Sequence, residues 1–122
     1  MTPPAERPAP PAEWRCDAAA LPPGRTAKFK IGCGGRAVEG FALNHEGRVY
    51  AYVNSCPHVG TPLDLWPNEF LAEDGCTIVC ATHGALFEPD GLCSAGPCAG
   101  DRLTPLLAVV EDGTVVVRCP PA

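Results

Sequence analysis

A chain of 122 residues has the size of one domain with a modest core. Its 13 glycines, 15 prolines and few aromatics favour short strands and turns over long helices. The net charge of −5 is unevenly placed: residues 56–100 hold Asp64, Glu69, Glu73, Asp74, Glu88 and Asp90 and no Lys or Arg. That stretch is unsuited to nucleic acid, whose phosphates need basic partners. It suits a basic docking face on another protein. No run of about 18 apolar residues is present, which excludes a membrane-spanning helix. The N-terminus lacks the basic-then-apolar order of a secretory signal, so a soluble cytoplasmic protein is expected.

Residues 1–13 carry five prolines and read as a flexible tail. Trp14-Arg15-Cys16 is a candidate first strand. Leu21-Pro22-Pro23-Gly24 is a turn, and Arg25 to Ile31 alternates as a half-exposed strand. Gly32-Cys33-Gly34-Gly35 reads as the next turn. Val38–Leu43 and Arg48–Val53 form a predicted hairpin around Asn44-His45-Glu46-Gly47, which makes His45 a solvated turn residue. Asn54-Ser55 ends the strand. Leu63–Gly75 is an acidic insertion whose Trp66, Phe70 and Leu71 pack on the domain. Cys76–Val79, Leu86–Phe87 and Leu92–Cys93 are short strands, and Gly96-Pro97 opens a rigid loop. Leu103–Val110 and Thr114–Arg118 close the chain as a hairpin around Glu111-Asp112-Gly113. About nine strands and no helix are predicted.

Of the eight cysteines, Cys16, Cys33, Cys76 and Cys119 lie in or beside apolar runs. They read as buried free thiols, with a Cys16–Cys33 disulfide as the lesser alternative. Cys56-Pro57-His58 and Cys80-Ala81-Thr82-His83 are different. Each places one thiol and one imidazole in a short loop rich in Pro and Gly, suited to a thiophilic metal or an iron–sulfur cluster. Structural zinc sites usually pair Cys with Cys and His with His. The mixed pairing here suits two metals better, with both thiolates on one iron and both imidazoles on the other. A structural zinc module and a Cys/His nucleophile remain the rival readings.

Cys56-Pro57-His58-Val59-Gly60-Thr61 and Cys80-Ala81-Thr82-His83-Gly84-Ala85 together resemble the paired C-x-H and C-x-x-H boxes of Rieske 2Fe–2S proteins. The interval between the boxes, residues 59–79, is longer than the family's usual one, and the excess falls in the acidic insertion. The resemblance implies an all-β, Rieske-type antiparallel β-sandwich over residues 14–120. It also implies a small cluster-binding subdomain at about 55–100. Cys56 and Cys80 would ligate the inner iron of one 2Fe–2S cluster, and His58 and His83 the outer iron. Gly96-Pro97 would be the loop covering the cluster. No role follows for Cys93 or Cys98. Neutral imidazoles make such a cluster easier to reduce than a four-thiolate one. Respiratory members carry an extra Cys in each box and a Ser after the second His-Gly. This chain has Thr61, Thr82 and Ala85 there, which implies the low-potential, ferredoxin-like kind.

The implied function is one-electron transfer from a reductase to an oxygenase, without turnover of its own. A small Rieske subunit of an oxidoreductase complex, resembling that of assimilatory nitrite reductase, is the alternative.

Overall fold

The computed structural model describes residues 11–57, 62–64, 70–80 and 84–120. Nine strands run through these residues. They are β1 (Glu13–Asp17), β2 (Thr26–Cys33), β3 (Arg36–His45), β4 (Arg48–Val53), β5 (Ile78–Val79), β6 (Leu86–Phe87), β7 (Cys93–Ala95), β8 (Leu107–Glu111) and β9 (Thr114–Arg118). They form three antiparallel three-stranded sheets, ordered β1-β9-β8, β2-β3-β4 and β5-β6-β7. One short 3-10 turn, Ala18–Ala20, follows β1 and is capped by the Asp17 carboxylate, which accepts from Ala19 N at 2.9 Å.

Sheet β2-β3-β4 lies between two cores. Successive strand residues face opposite sides, so Phe41 and Leu43 enter one core while Ala42 enters the other. On β4, Tyr52 and Ala51 divide in the same way. The first core joins this sheet to β1-β9-β8 through Phe29, Ile31, Leu106, Val115 and Val117, with Trp14 stacked on Phe29 at 4.8 Å. The second core contains Phe70, Ile78, Phe87 and Leu103 together with Cys56, Cys80, Cys93 and Cys98. Phe41 stacks on Phe70 at 4.2 Å, so the far end of the acidic insertion is held on the domain. Gly91 is needed beside Tyr52, because its φ is +92° and a Cβ there would lie 2.8 Å from the ring.

Several boundaries differ from the sequence reading. The β3–β4 hairpin is tighter than expected. His45 ends β3, and only Glu46 and Gly47, both at positive φ, make the turn. His45 sits half-buried, its Nε2 3.8 Å from Glu46. Strand β2 extends through Cys33, which leaves Gly34-Gly35 as the turn. Strand β5 is confined to Ile78–Val79, because Asp74 folds residues 74–77 into a turn. The expected strand Leu103–Val110 begins only at Leu107. Residues 104–106 instead bond to β4, through Val53 N to Thr104 O (2.9 Å) and Leu106 N to Ala51 O (2.8 Å). Pro105 has no N–H to add to such a ladder.

The cysteines also depart from expectation. Cys33 and Cys119 are paired as a disulfide, with Cα atoms 5.6 Å apart, joining the end of β2 to the residue after β9. Cys16 and Cys76 are half-buried thiols. Cys16–Cys33 is therefore not the pair, since register places Cys16 opposite Val115 on another sheet.

Candidate metal centre

The first box begins where β4 stops. Asn54 N donates to Glu39 O and Ser55 N to Val53 O, both at 2.9 Å, which turns the chain out of the sheet. The Asn54 side chain then ties down the far side of the box. Its Oδ1 accepts from Leu63 N at 2.8 Å, and its Nδ2 donates to Glu39 and Asp64, each at 2.9 Å. Lys28 of β2 closes the network, with Nζ 3.0 Å from Asp64 and 3.1 Å from Glu39. Hydrogen bonds to these two carboxylates, Asp64 first, raise the Lys28 pKa. The two ends of the box, residues 54–57 and 62–64, are thus fastened to the sheet, with Cys56 between them at 0 % exposure.

The second box is the connection from β5 to β6. Cys80 N donates to Ala85 O at 2.9 Å, and Gly84 N to Cys80 O at 2.8 Å. Gly84 adopts φ +71°, which lets the chain turn back into β6. Cys80 and Ala85 are both fully buried.

A third segment packs against both boxes. Gly96 lies so close to Ala85 that a Cβ on it would stand 2.8 Å from the Ala85 Cα. Two residues later, the Cys98 thiol is pushed up to about 12 by burial first, and then by the adjacent Cys93 and Cys56 sulfurs. Its Sγ lies 2.9 Å from Cys93 Sγ.

Of the four ligands expected from sequence, Cys56 and Cys80 share one core. His58 and His83 lie outside the described residues, as do Thr61, Thr82 and Trp66. Among the described residues no three Cys, His, Asp or Glu converge as a metal site. The donor set fits a cluster on one side: two soft thiols, both shielded from water, on separate loops of one core. Sequence reasoning missed the Lys28–Glu39–Asn54–Asp64 network and gave Cys93 and Cys98 no role. The available signals were Asn54 and Asp64 flanking the first box and Cys98 directly after Gly96-Pro97.

A Rieske [2Fe-2S] domain is matched over residues 14–120. No curated protein matches the chain. Among solved structures, the ferredoxin of carbazole 1,9a-dioxygenase from Nocardioides aromaticivorans IC177 is 25 % identical, with a TM-score of 0.64 over 89 % of this chain and 99 % of that one. The Sphingomonas yanoikuyae B1 ferredoxin is 24 % identical and superposes with a TM-score of 0.64 over 86 % and 95 %. The terminal oxygenase of carbazole 1,9a-dioxygenase from Novosphingobium sp. KA1 shares the fold over 93 % of this chain and 31 % of its own, at 17 % identity and a TM-score of 0.71. Among the described residues no helix is long and apolar enough to cross a membrane. A family match across nearly the whole chain, on an antiparallel fold that buries one cysteine from each box, makes this chain a member of the Rieske [2Fe-2S] domain family, a ferredoxin-type electron carrier with a 2Fe–2S cofactor.

Proposed function

We propose that Cys56 and Cys80 hold the inner iron of the cluster and His58 and His83 the outer iron. In this reading the protein takes single electrons from a flavin-dependent reductase and passes them to a terminal oxygenase. The burial of Cys56 and Cys80 at 0 % exposure in one core carries the assignment. Bound there, a 2Fe–2S cluster would supply a one-electron couple. The chain's own residues exclude water from the thiolate side, through Phe87, Ala85 and Leu63, all fully buried in the same core. They also fix the first box through Asn54 and Lys28. The oxygenase partner is suggested by a related fold in the complex of reduced oxygenase and oxidized ferredoxin of carbazole 1,9a-dioxygenase, 22 % identical with a TM-score of 0.69.

The acidic stretch 56–100 would meet a basic face on the partner. Such docking should weaken steeply with salt. The domain would occupy residues 14–120, with about 55–100 as its cluster-binding part.

Iron and sulfide analysis with EPR of the reduced protein tests the ligand set. Two irons per chain and a rhombic signal are expected. Cys56→Ser and Cys80→Ser should each lose most of the iron. His83→Cys should keep some cluster at a lower potential, and an unchanged potential would contradict the assignment of His83. Stopped-flow reduction by a flavoprotein reductase and reoxidation by an oxygenase test the direction of transfer. A cytoplasmic setting belongs to the same proposal. It is tested by cell fractionation, with recovery in the soluble cytoplasmic fraction expected. Recovery only in an exported or membrane fraction would overturn it, as the Cys33–Cys119 disulfide, a linkage uncommon in reducing compartments, would then fit.

A further inference from the structure

We infer that Cys93 and Cys98 are a built disulfide site, a dithiol that closes into a cross-link between β7 and the 96–100 loop. Their sulfurs are 2.9 Å apart, nearer than two thiols ordinarily sit unless they share a hydrogen or a bond. A disulfide has S–S of about 2.0 Å, so closure needs a movement of only about 1 Å. The backbone already holds the approach. Cys93 N donates to Asp101 O at 2.8 Å, Gly100 N to Cys93 O at 3.0 Å, and Asp101 N to Cys98 O at 2.8 Å. These bonds fold residues 93–101 into a closed ladder with both side chains turned inward, each 2 % exposed. Cys93 Sγ also donates to Ala95 O at 3.3 Å. The remaining thiols outside the boxes contrast with this pair. Cys16 and Cys76 are only half-buried and more open to solvent.

The chemistry is thiol–disulfide exchange with a low-molecular-weight disulfide. The Cys93 thiolate attacks one sulfur of the external disulfide, forming a mixed disulfide and releasing one small thiol. Cys98 sulfur then displaces the second small thiol. The S–S bond of the reagent breaks and the Cys93–Cys98 bond forms. The two protein thiol protons end on the two released thiols, and the protein gives up two electrons to the reagent. Both cysteines are only 2 % exposed, so attack waits on an opening of the 96–100 loop, and closure is slow.

Closure has two effects on the neighbourhood. It removes the Cys98 S–H, which lies beside Cys56. It also pins the loop that packs on Ala85. The cross-link itself does not depend on the ligand assignment, which makes the two separable.

The test uses the full chain with its cofactor, equilibrated with glutathione disulfide, trapped with N-ethylmaleimide in denaturant, and cleaved after Asp90 and Asp101. The peptide Gly91–Asp101 carries only these two cysteines. Loss of two hydrogens with no alkyl group is expected, and two alkyl groups after prior reduction. Two alkyl groups without reduction, or a glutathione adduct that persists, would overturn the inference. In Cys93→Ser, Cys98 is expected to take one alkyl group. A Cys98 found cross-linked to Cys56 in the unmutated chain would show that Cys93 is not its partner. Iron content measured on the same samples reports the cofactor assignment independently.

Discussion

Lys28 Nζ lies 3.0 Å from an Asp64 carboxylate whose side chain is 1 % exposed, across 36 residues of sequence. The same ammonium touches Glu39, and Asn54 bridges both acids. One cation on β2 therefore holds two carboxylates, one of them at the exit of the first box. Removing one partner of a shielded pair leaves charge without compensation. Lys28 is itself partly exposed, which discounts the effect.

Lys28→Met should accordingly destabilise the fold by about 1–3 kcal/mol, read as the shift in urea midpoint. Asp64→Asn combined with Lys28→Met should cost less than the two alone, because they share the interaction. The pH dependence has a definite sign. The folded-state Lys28 pKa is raised, so its contribution is complete below the ordinary lysine value of 10.5 and fades as pH climbs through the folded-state value. A midpoint that rises with alkaline pH would contradict the network.

Asp74 gives the opposite dependence at the other end of the scale. Its carboxylate accepts from Cys76 N at 2.9 Å and Thr77 N at 2.8 Å, and from the Thr77 hydroxyl. The Thr77 hydroxyl and backbone bonds hold its pKa well below the usual range. The turn is therefore fully supported above the ordinary value of 3.8 and loosens as pH falls toward the folded-state value. The protection factor of the Thr77 amide, its exchange rate compared with that of an unstructured amide at the same pH, should fall on acidification, and Asp74→Ala should show low protection already at neutral pH.

Much of the fold was legible, and the losses share a cause. Arg48–Val53, Thr114–Arg118 and Leu86–Phe87 are strands as read, because alternation and bounding Gly or Pro are local signals. Leu103–Leu106 is apolar for a different reason: Leu103 and Leu106 are buried while residues 104–106 run along β4 outside the final hairpin. Cys33–Cys119, Lys28–Asp64 and Cys93–Cys98 are meetings of side chains. The first two are set by strand order across distant sequence, and the third by loop geometry, none of which periodicity encodes. The paired boxes stood out because their spacing is itself chemical; Cys56 and Cys80 are buried as such ligands would be, and His58 and His83 lie outside the described residues.

Gly96→Ala and Gly100→Ala form a controlled pair. Both positions have positive φ, +101° and +94°, so both variants carry backbone strain of about 1–3 kcal/mol. Only Gly96 also meets backbone, at 2.8 Å from Ala85 Cα, whereas Gly100 faces open space. Gly96→Ala should cost about 1–3 kcal/mol more than Gly100→Ala. It should also alter the EPR line shape of the reduced protein, which Gly100→Ala should leave unchanged. Equal unfolding midpoints for the two would remove the contact from the account.

The Cys33–Cys119 disulfide closes a separation of 86 residues. Cross-links over such spans typically stabilise by about 2–4 kcal/mol, chiefly by restricting the unfolded chain. The double variant Cys33→Ser/Cys119→Ser should lower the unfolding free energy by that amount, read as a fall in the urea midpoint, and adding reductant should then have no further effect on this linkage.

That same disulfide decides how the domain bears a mechanical load. Strands β1 and β9 pair with Glu13 opposite Arg118, so the two ends of the described chain lie together at one end of the pair. Pulled apart there, two antiparallel strands would unzip bond by bond, the weakest way to load a sheet. Cys119 follows Arg118 directly, so tension arriving from the C-terminal side passes through sulfur into Cys33 before it reaches β9. Strand β2, hydrogen-bonded along its length to β3, then takes the strain. A tether at the C-terminal end of this ferredoxin would pull on the scaffold sheet and spare the hairpin that closes the chain.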